Sequence, residues 1–406
     1  MLNSPGVYEY LINVTIGTPP QNITLIIDTG SSDLWVNTNA SCSAFDDSAD
    51  AALCNQLGVY DPTNSSTFVN YTATDESFIL NVTYLTGYVL GSQGSETVGL
   101  GSPEVRISNM TFGLAEESPV GVGIMGIGFE LNEAEEIMFP TIVDQLYNQG
   151  FIDSHLFGLY LDDVDAATGN IVFGGYDEDK IVNDSLIFLP IVPIQLPGNT
   201  TGFYLEYLVE LDGINITTGT GNSTAFQNTT AFAVLDSGTT ALELPNDALS
   251  YLVNVTSATF DETFGAYLVD CDAYPADTSE YISFTFHDQR NGTTKSLNVS
   301  FYELVVPLDQ STCALAVEPA ETDNFLILGG PFLRSTYVIF DLDEEMIVMG
   351  QTLFNTTASN IAEVPANSTE GPFNVSSIAP TITFSYTGLP TTTNIGIGND
   401  GTATST

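Results

Sequence analysis

The sequence predicts a mainly β protein built from two similar lobes with a few short helices. Val, Ile, Leu, Phe, Tyr and Thr are plentiful, turn residues recur at short intervals, and long helical periods are scarce. At 406 residues the chain can bury a large core and divide in two. The third observation is a repeated turn. Leu25-Ile26-Ile27-Asp28-Thr29-Gly30-Ser31-Ser32-Asp33-Leu34-Trp35-Val36 is answered by Ala233-Val234-Leu235-Asp236-Ser237-Gly238-Thr239-Thr240-Ala241-Leu242. Each is a buried strand that delivers one carboxylate into a tight, hydroxyl-lined turn before hydrophobic residues resume. Two such turns imply two related halves, each supplying one carboxylate to one site.

The elements follow in order. Residues 7–36 read as strands with a turn at Gly17-Thr18-Pro19-Pro20. The acidic stretch between Cys42 and Cys54 reads as an exposed loop tied at its base. A hairpin spans residues 78–91, with Thr86-Gly87 at its tip. Gly121-Val122-Gly123-Ile124-Met125-Gly126-Ile127-Gly128 is an apolar strand with glycines where another backbone comes close. Residues 139–150 are the clearest helix, stopped by Gly150, and a second helix lies near 246–252. Strands return at 157–161 and 169–175, and residues 186–197 form the passage between lobes. Residues 325–334 echo the Ile124-Met125-Gly126 segment, and 337–341 with 346–350 close the fold as a hairpin. The division is therefore an N-terminal lobe 1–190, a C-terminal lobe 191–354, and a flexible Ser/Thr/Asn/Pro-rich tail 355–406.

Charge and cysteines narrow the function. Five Lys and Arg against 51 Asp and Glu give a formal charge of −46, which repels phosphate backbones and argues against nucleic acid as a partner. The same acidity suits life in acid, basic substrates, or plain solubility. The four cysteines fall two per half; Cys42–Cys54 with Cys271–Cys313 is the simplest of three pairings. There is no Cys-x-x-Cys, and His155 and His287 lie in strand-like structural settings, so no metal or other cofactor is expected. Disulfides imply an oxidising compartment. About eighteen N-x-S/T sequons, among them Asn13, Asn22, Asn64, Asn81, Asn215 and Asn298, favour a secretory glycoprotein. No signal peptide precedes Leu2 and no apolar run is long enough to span a membrane, so a processed mature form is expected.

If the two Asp turns meet, Asp28 and Asp236 cannot both ionise easily and share one proton. The ionised member can then take a proton from a water while the protonated member polarises a carbonyl, which is peptide-bond hydrolysis by general acid and base. Gly30 and Gly238 offer N–H donors at close backbone approach, and Ser31 and Thr239 can donate hydroxyl hydrogen bonds that favour the ionised form. One Asp-Gly turn is ordinary loop chemistry; two, each after a buried strand, are not.

These residues carry a resemblance to the pepsin-like aspartic proteases over residues 7–354. It rests on Asp28-Thr-Gly-Ser-Ser-Asp-Leu-Trp-Val, Asp236-Ser-Gly-Thr-Thr, Gly123-Ile-Met-Gly-Ile-Gly, Leu326-Ile-Leu-Gly and Tyr337-Val-Ile-Phe-Asp341. The short acidic loop, the run Asn170-Ile-Val-Phe-Gly174 and the Ser/Thr tail are most similar to the fungal yapsin group. The resemblance implies the bilobal acid-protease fold with pseudo-two-fold symmetry and an extended peptide or protein substrate lying in a cleft. It makes Asp28 and Asp236 the catalytic pair, Tyr84 the flap tyrosine and Trp35 its hydrogen-bonding partner. Gly30, Gly238, Thr240, Thr86 and Gly87 match contacts to the substrate main chain. It further implies pepstatin-type inhibition, a monomer, a zymogen with a prosegment, and a secreted or cell-surface enzyme whose precursor carries a glycosylphosphatidylinositol anchor.

Three positions depart from the family pattern. Leu85 follows the flap tyrosine where Gly or Ala is usual, and Thr86 stands where members that accept Lys carry Asp. Gly330 replaces an Asp that commonly follows the Leu-Gly element. A preference for basic residues would then draw on acidic groups elsewhere, such as those of residues 43–53. The rival reading is a catalytically silent relative acting as a binding or wall-associated glycoprotein.

Overall fold

Each Asp turn sits at the end of a central strand flanked by a parallel neighbour, and that arrangement organises the computed structural model. Residues 9–365 are described, apart from 76, 85–86, 102–103, 135–136, 197–200, 227–229 and 310, together with the backbone of 2–3 and 384–385. The chain divides into two compact units. One comprises Leu11–Asp153, Ile194–Glu206 and Ser385–Thr406; the other comprises Met1–Tyr10, Ser154–Pro193 and Tyr207–Phe384.

In the first unit, β1 (Tyr10–Ile16) pairs antiparallel with β2 (Gln21–Asp28), Leu11 opposite Ile26. Following β2 come β3 (Leu34–Asn37) and the hairpin of β4 (Ile79–Tyr84) with β5 (Gly87–Leu100). The sheet is completed by β6 (Val105–Glu117), antiparallel to β5, and β7 (Gly123–Gly126). β7 runs parallel to β2, placing Gly126 beside Asp28, and antiparallel to β3, while β3 is parallel to β6. Leu11, Ile26, Trp35, Leu80, Val82, Val89 and Ile124 form one core cluster beneath this arrangement. The alternating side chains of a sheet with one buried face produce it.

Residues 43–53 differ from the predicted exposed loop. Ser43 ends one short helix, α1 (Asn39–Ser43), and residues 48–53 lie in a second, α2 (Ser48–Leu57), with the mostly exposed residues 44–47 linking them. The Thr38 hydroxyl accepts from the Ala40 N–H at 3.2 Å and the Asp47 carboxylate from that of Ala49 at 2.6 Å. These caps satisfy the first-turn donors that a short helix otherwise leaves open. Cys42 and Cys54 are joined across the two helices, and Cys271 is joined to Cys313. α3 (Ile142–Asn148) lies inside the predicted 139–150 helix, and Gly150 follows it at φ +74°, where a side chain would be strained.

In the second unit, β8 (Leu156–Tyr160), β9 (Gly175–Asp177), β10 (Ile187–Pro190), β11 (Leu208–Leu211), β12 (Ala231–Leu235) and β13 (Leu242–Leu244) precede α4 (Asn246–Thr256). Later come β14 (Val317–Pro319), β15 (Phe325–Leu328), α5 (Gly330–Ser335), β16 (Thr336–Asp341), β17 (Met346–Gln351) and β18 (Ile361–Glu363). β12 is parallel to β15, Leu235 beside Leu328; β13 is antiparallel to β15 and parallel to β14. This is the connectivity of β2, β7, β3 and β6 repeated.

The division between units does not fall at residue 190. β8 pairs with β16 and β10 with β17, so residues 154–193 belong with the closing hairpin. The tail reading from 355 also changes. Residues 353–364 are strapped to the second unit: Leu353 N–H donates to the Lys180 carbonyl at 2.8 Å, Asn355 N–H to Asp162 Oδ1 at 2.8 Å, and Asn360 N–H to Asp177 Oδ1 at 2.7 Å. β18 pairs with β9, and Ala362 and Val364 pack on the core around Tyr337 and Ile339. Backbone hydrogen bonds to fixed partners, among them the buried Lys180 and Asp177, override a polar composition here. No helix among the described residues is long and apolar enough to cross a membrane.

Candidate active site

The first turn is built by β2, whose last residues Leu25–Asp28 are all buried. Asp28 Oδ1 accepts the Gly30 N–H at 2.8 Å, and Oδ2 accepts the Ser31 hydroxyl at 2.5 Å. The Asp28 carbonyl accepts from the Ile127 N–H at 2.9 Å, and the Ser31 carbonyl from that of Gly128 at 2.9 Å, which ties the turn to the end of β7. A Cβ on Gly126 would strike the backbone of Ser32 and Asp33, so only glycine lets these chains pass.

The second turn repeats this. Asp236 Oδ1 accepts the Gly238 N–H at 2.8 Å, and Oδ2 accepts the Thr239 hydroxyl at 2.6 Å. Asp236 N–H donates to the Leu328 carbonyl at 3.3 Å and Gly330 N–H to the Thr239 carbonyl at 2.8 Å. A Cβ on Gly329 would fall on the carbonyl oxygens of Ala241 and Thr239. Thr240 is half-buried beside the turn. Gly330, which departs from the resemblance, opens α5; a Cβ there would approach Arg334 Nη1 at 3.3 Å. Arg334 is itself buried and donates from Nε to Glu303 Oε2 at 2.7 Å, which anchors α5 below the turn.

Tyr84 ends β4 opposite Gly87 on β5, and its hydroxyl accepts from Trp35 Nε1 at 2.8 Å. Trp35 is fully buried, so its N–H has a fixed direction. Leu85 and Thr86 lie outside the described residues. Asn13, Asn22, Asn64, Asn81 and Asn298 are exposed and Asn215 is half-buried. The ring of His155 meets Asp343 Oδ1 at 2.7 Å, and His287 lies on the strand Tyr281–Asp288 with its side chain outward; neither approaches an Asp turn in sequence or pairing.

Two acidic groups near the turns were not assigned from sequence. Glu133 is pushed well above the usual carboxyl range by burial and then by the nearby Asp33; the Phe139 N–H donates to it. Asp33 Oδ2 accepts from the Ala134 N–H at 3.2 Å. Glu243, on β13, is raised to about 7 chiefly by burial, with Glu318, Glu321 and Asp236 adding to the effect. Its Oε2 accepts from the Ile327 N–H at 2.9 Å. The available signal was spacing: Glu243 follows Asp236 by the same seven residues as Trp35 follows Asp28.

Comparison with known proteins is consistent over nearly the whole chain. The family described as eukaryotic aspartyl protease matches residues 9–352. The "Probable aspartic-type endopeptidase opsB" of Aspergillus oryzae is 30% identical over 372 residues, covering 87% of this chain and 71% of the relative. Aspartic proteinase yapsin-3 of Saccharomyces cerevisiae is 31% identical over 368 residues, covering 87% and 68%. The crystal structure of an aspartic proteinase from Irpex lacteus superposes with a TM-score of 0.64 at 23% identity, covering 87% of this chain and 97% of that one.

Proposed function

We propose that this chain, which belongs to the eukaryotic aspartyl protease family and is an aspartic endopeptidase, hydrolyses peptide bonds with Asp28 and Asp236 acting as one pair. The observation that carries the reading is the matched donor set. In both turns a glycine N–H serves Oδ1 and a hydroxyl serves Oδ2. Such donors orient a carboxylate and leave its remaining lone pairs for a water.

The pair shares one proton. Its ionised member takes a proton from water, whose oxygen bonds to the peptide carbonyl carbon. The protonated member donates a hydrogen bond to the carbonyl oxygen as negative charge grows there. When the C–N bond breaks, the leaving nitrogen takes up a proton, so one water is consumed and one acid and one amine form. Tyr84 closes over the substrate as a flap, and the Trp35 N–H fixes where its hydroxyl lies. Gly30, Gly238, Thr240, Thr86 and Gly87 serve the substrate main chain.

The formal charge of −46 favours substrates with basic side chains, drawn by the field of the whole surface. Two disulfides and the many sequons suit a secreted or cell-surface glycoprotein. Digestion of a denatured protein at about pH 4, with and without pepstatin, tests the reading. The parent should cleave in a pepstatin-sensitive way, and Asp28→Asn and Asp236→Asn should not cleave. Substantial residual proteolysis in either variant would overturn the pair. No pepstatin-sensitive cleavage at any acid pH would favour the silent, binding relative. A peptide library then reads the preference for Lys and Arg.

A further inference from the structure

The hairpin that carries Tyr84 has two unlike faces. Inward, Leu80, Val82 and Val89 are buried in the core cluster and Tyr84 meets Trp35. Outward lie Ile79, Asn81 and Thr83 on β4, with Tyr88, Leu90 and Ser92 facing them: Asn81 opposite Leu90, Thr83 opposite Tyr88, Ile79 opposite Ser92. Of these, Ile79 is 49% exposed, Tyr88 38% and Leu90 37%. Among the described residues β4 pairs with β5 alone, so the stripe begins on an edge strand with Ile79 and continues on its neighbour β5 with Tyr88 and Leu90, a feature that natural sheets usually blunt. No Lys, Arg, Glu, Asp or Pro stands among the six outward residues.

What stands at the centre of the stripe is a sequon, Asn81-Val82-Thr83. Asn81 and Thr83 are exposed, and the Asn81 amide has no hydrogen-bond partner among the described residues. The other sequons named above differ. Asn13 Oδ1 accepts from Thr24 at 2.9 Å, Asn298 Oδ1 from Ser283 at 2.7 Å, and Asn64 Nδ2 donates to Asp61 at 2.7 Å. Asn215 is half-buried on a strand paired on both sides, and Asn22 faces Thr15 rather than apolar residues.

We infer that Asn81 is N-glycosylated and that its first sugar lies over Leu90, Tyr88 and Ile79, covering the outward face of the hairpin. Residues directly opposite in an antiparallel pair have Cβ atoms about 5 Å apart, so a sugar on Asn81 Nδ2 starts within reach of Leu90. A pyranose presents a C–H face that packs on aliphatic and aromatic side chains while its hydroxyls stay in water. The Tyr88 hydroxyl donates to Glu117 Oε1 at 2.7 Å on the neighbouring strand β6, which holds the ring in place across the outward face. In the step itself, Nδ2 bonds to C1 of an N-acetylglucosamine as the C1–O bond to a diphosphate-linked lipid donor breaks. The amide proton is lost to solvent and the lipid diphosphate departs.

The inference rests on the secretory setting proposed above and not on the catalytic pair. The full chain is therefore secreted from a yeast host in its Asp28→Asn form, so that proteolysis is not read and self-cleavage is absent. Three versions are compared: this form, Thr83→Ser, which keeps the sequon, and Thr83→Ala, which destroys it. Peptide mapping should find the sugar on Asn81 in the first two only. Amide exchange over residues 79–84 and 87–92 should be at least about threefold faster in Thr83→Ala, with Thr83→Ser like its parent. Enzymatic trimming to a single N-acetylglucosamine should leave the protection in place. An unmodified Asn81 in the sequon-bearing forms overturns the inference. Exchange unchanged in Thr83→Ala, or lost on trimming to one sugar, overturns the covering role.

Discussion

The two Asp turns share their strands and their hydrogen bonds but not their surroundings. Both use a central strand, a parallel neighbour ending in glycine, and the same N–H and hydroxyl donors. Past the fourth residue they part. Asp33 and Trp35 follow Asp28; Ala241 and Glu243 stand in the matching places after Asp236. Trp35 is buried and holds a tyrosine hydroxyl, whereas Glu243 is a carboxyl kept largely protonated below about 7 by burial. The part common to both is the part that orients a carboxylate. What differs is what each half adds: a fixed tyrosine on one side, a titrating group on the other.

The largest effects should be equal between the halves. Asp28→Asn and Asp236→Asn should each lower kcat by at least about 10³-fold, and the double variant should be no worse than either, because groups acting as a unit are not additive. Unequal losses in single-turnover kinetics would break the equivalence. Next come the glycines. Gly126→Ala and Gly329→Ala each force a methyl group onto neighbouring backbone and should cost about 2–4 kcal/mol, read as a fall in the denaturant midpoint. A harmless substitution at either site would show that its turn has slack that the other lacks.

The sequence disclosed the shared part more readily than the additions. Asp28 and Asp236 were legible because apolar runs, a turn and glycine come within a few residues of each other. The hairpin at 78–91, the two disulfides and helices near 139–150 and 246–252 were also readable from local signals, and β4–β5, the two cystines, α3 and α4 occupy those places. Other features depend on partners distant in the chain. α2 carries few apolar residues and buries only Cys54, so its period is too faint to show, and its Asp47 cap reads as loop chemistry. The strap at 353–364 looks like a polar tail until the carboxylates of Asp162 and Asp177 meet its backbone. Residues 154–193 follow the first Asp turn in sequence yet pair with the closing hairpin, which no local pattern encodes. The burial of Glu243 is invisible for the same reason.

A medium effect should separate the halves. Trp35→Phe keeps an aromatic ring but loses the N–H that meets Tyr84 and leaves a gap in the core, so kcat/KM should fall about five- to tenfold and stability by about 1–3 kcal/mol. Glu243→Gln, at the matching place, should leave kcat/KM for an uncharged peptide at pH 4 within about twofold, because the parent carboxyl is already protonated there. A tenfold loss in Glu243→Gln would mean that this carboxyl takes part in the chemistry of Asp236.

The smallest effect is on stability and has a definite sign. Burial raises Glu243 and Glu9 from the ordinary 4.5 to about 7, and Asp341 from 3.8 to about 6. A carboxyl raised on folding holds a proton that the unfolded chain has already lost, so stability falls as pH climbs between those values. Its contribution is complete below the ordinary carboxyl range and gone above about 7 for Glu243 and Glu9, and above about 6 for Asp341. The melting temperature should therefore be highest near pH 4 and decline toward pH 7. General repulsion among 51 acidic residues acts in the same direction, but added salt screens exposed charges far more than buried ones. The decline that persists at about 1 M salt is then the buried part. Glu243→Gln should remove about 1–2 °C of it, consistent with roughly 1 kcal/mol from a partly exposed group in a chain of this size. A melting temperature that rises between pH 5 and 7, or a Glu243→Gln variant with the parent's slope at high salt, would show that Glu243 ionises freely. The second turn would then be distinguished from the first only by what it lacks, a tryptophan, and not by a group that titrates.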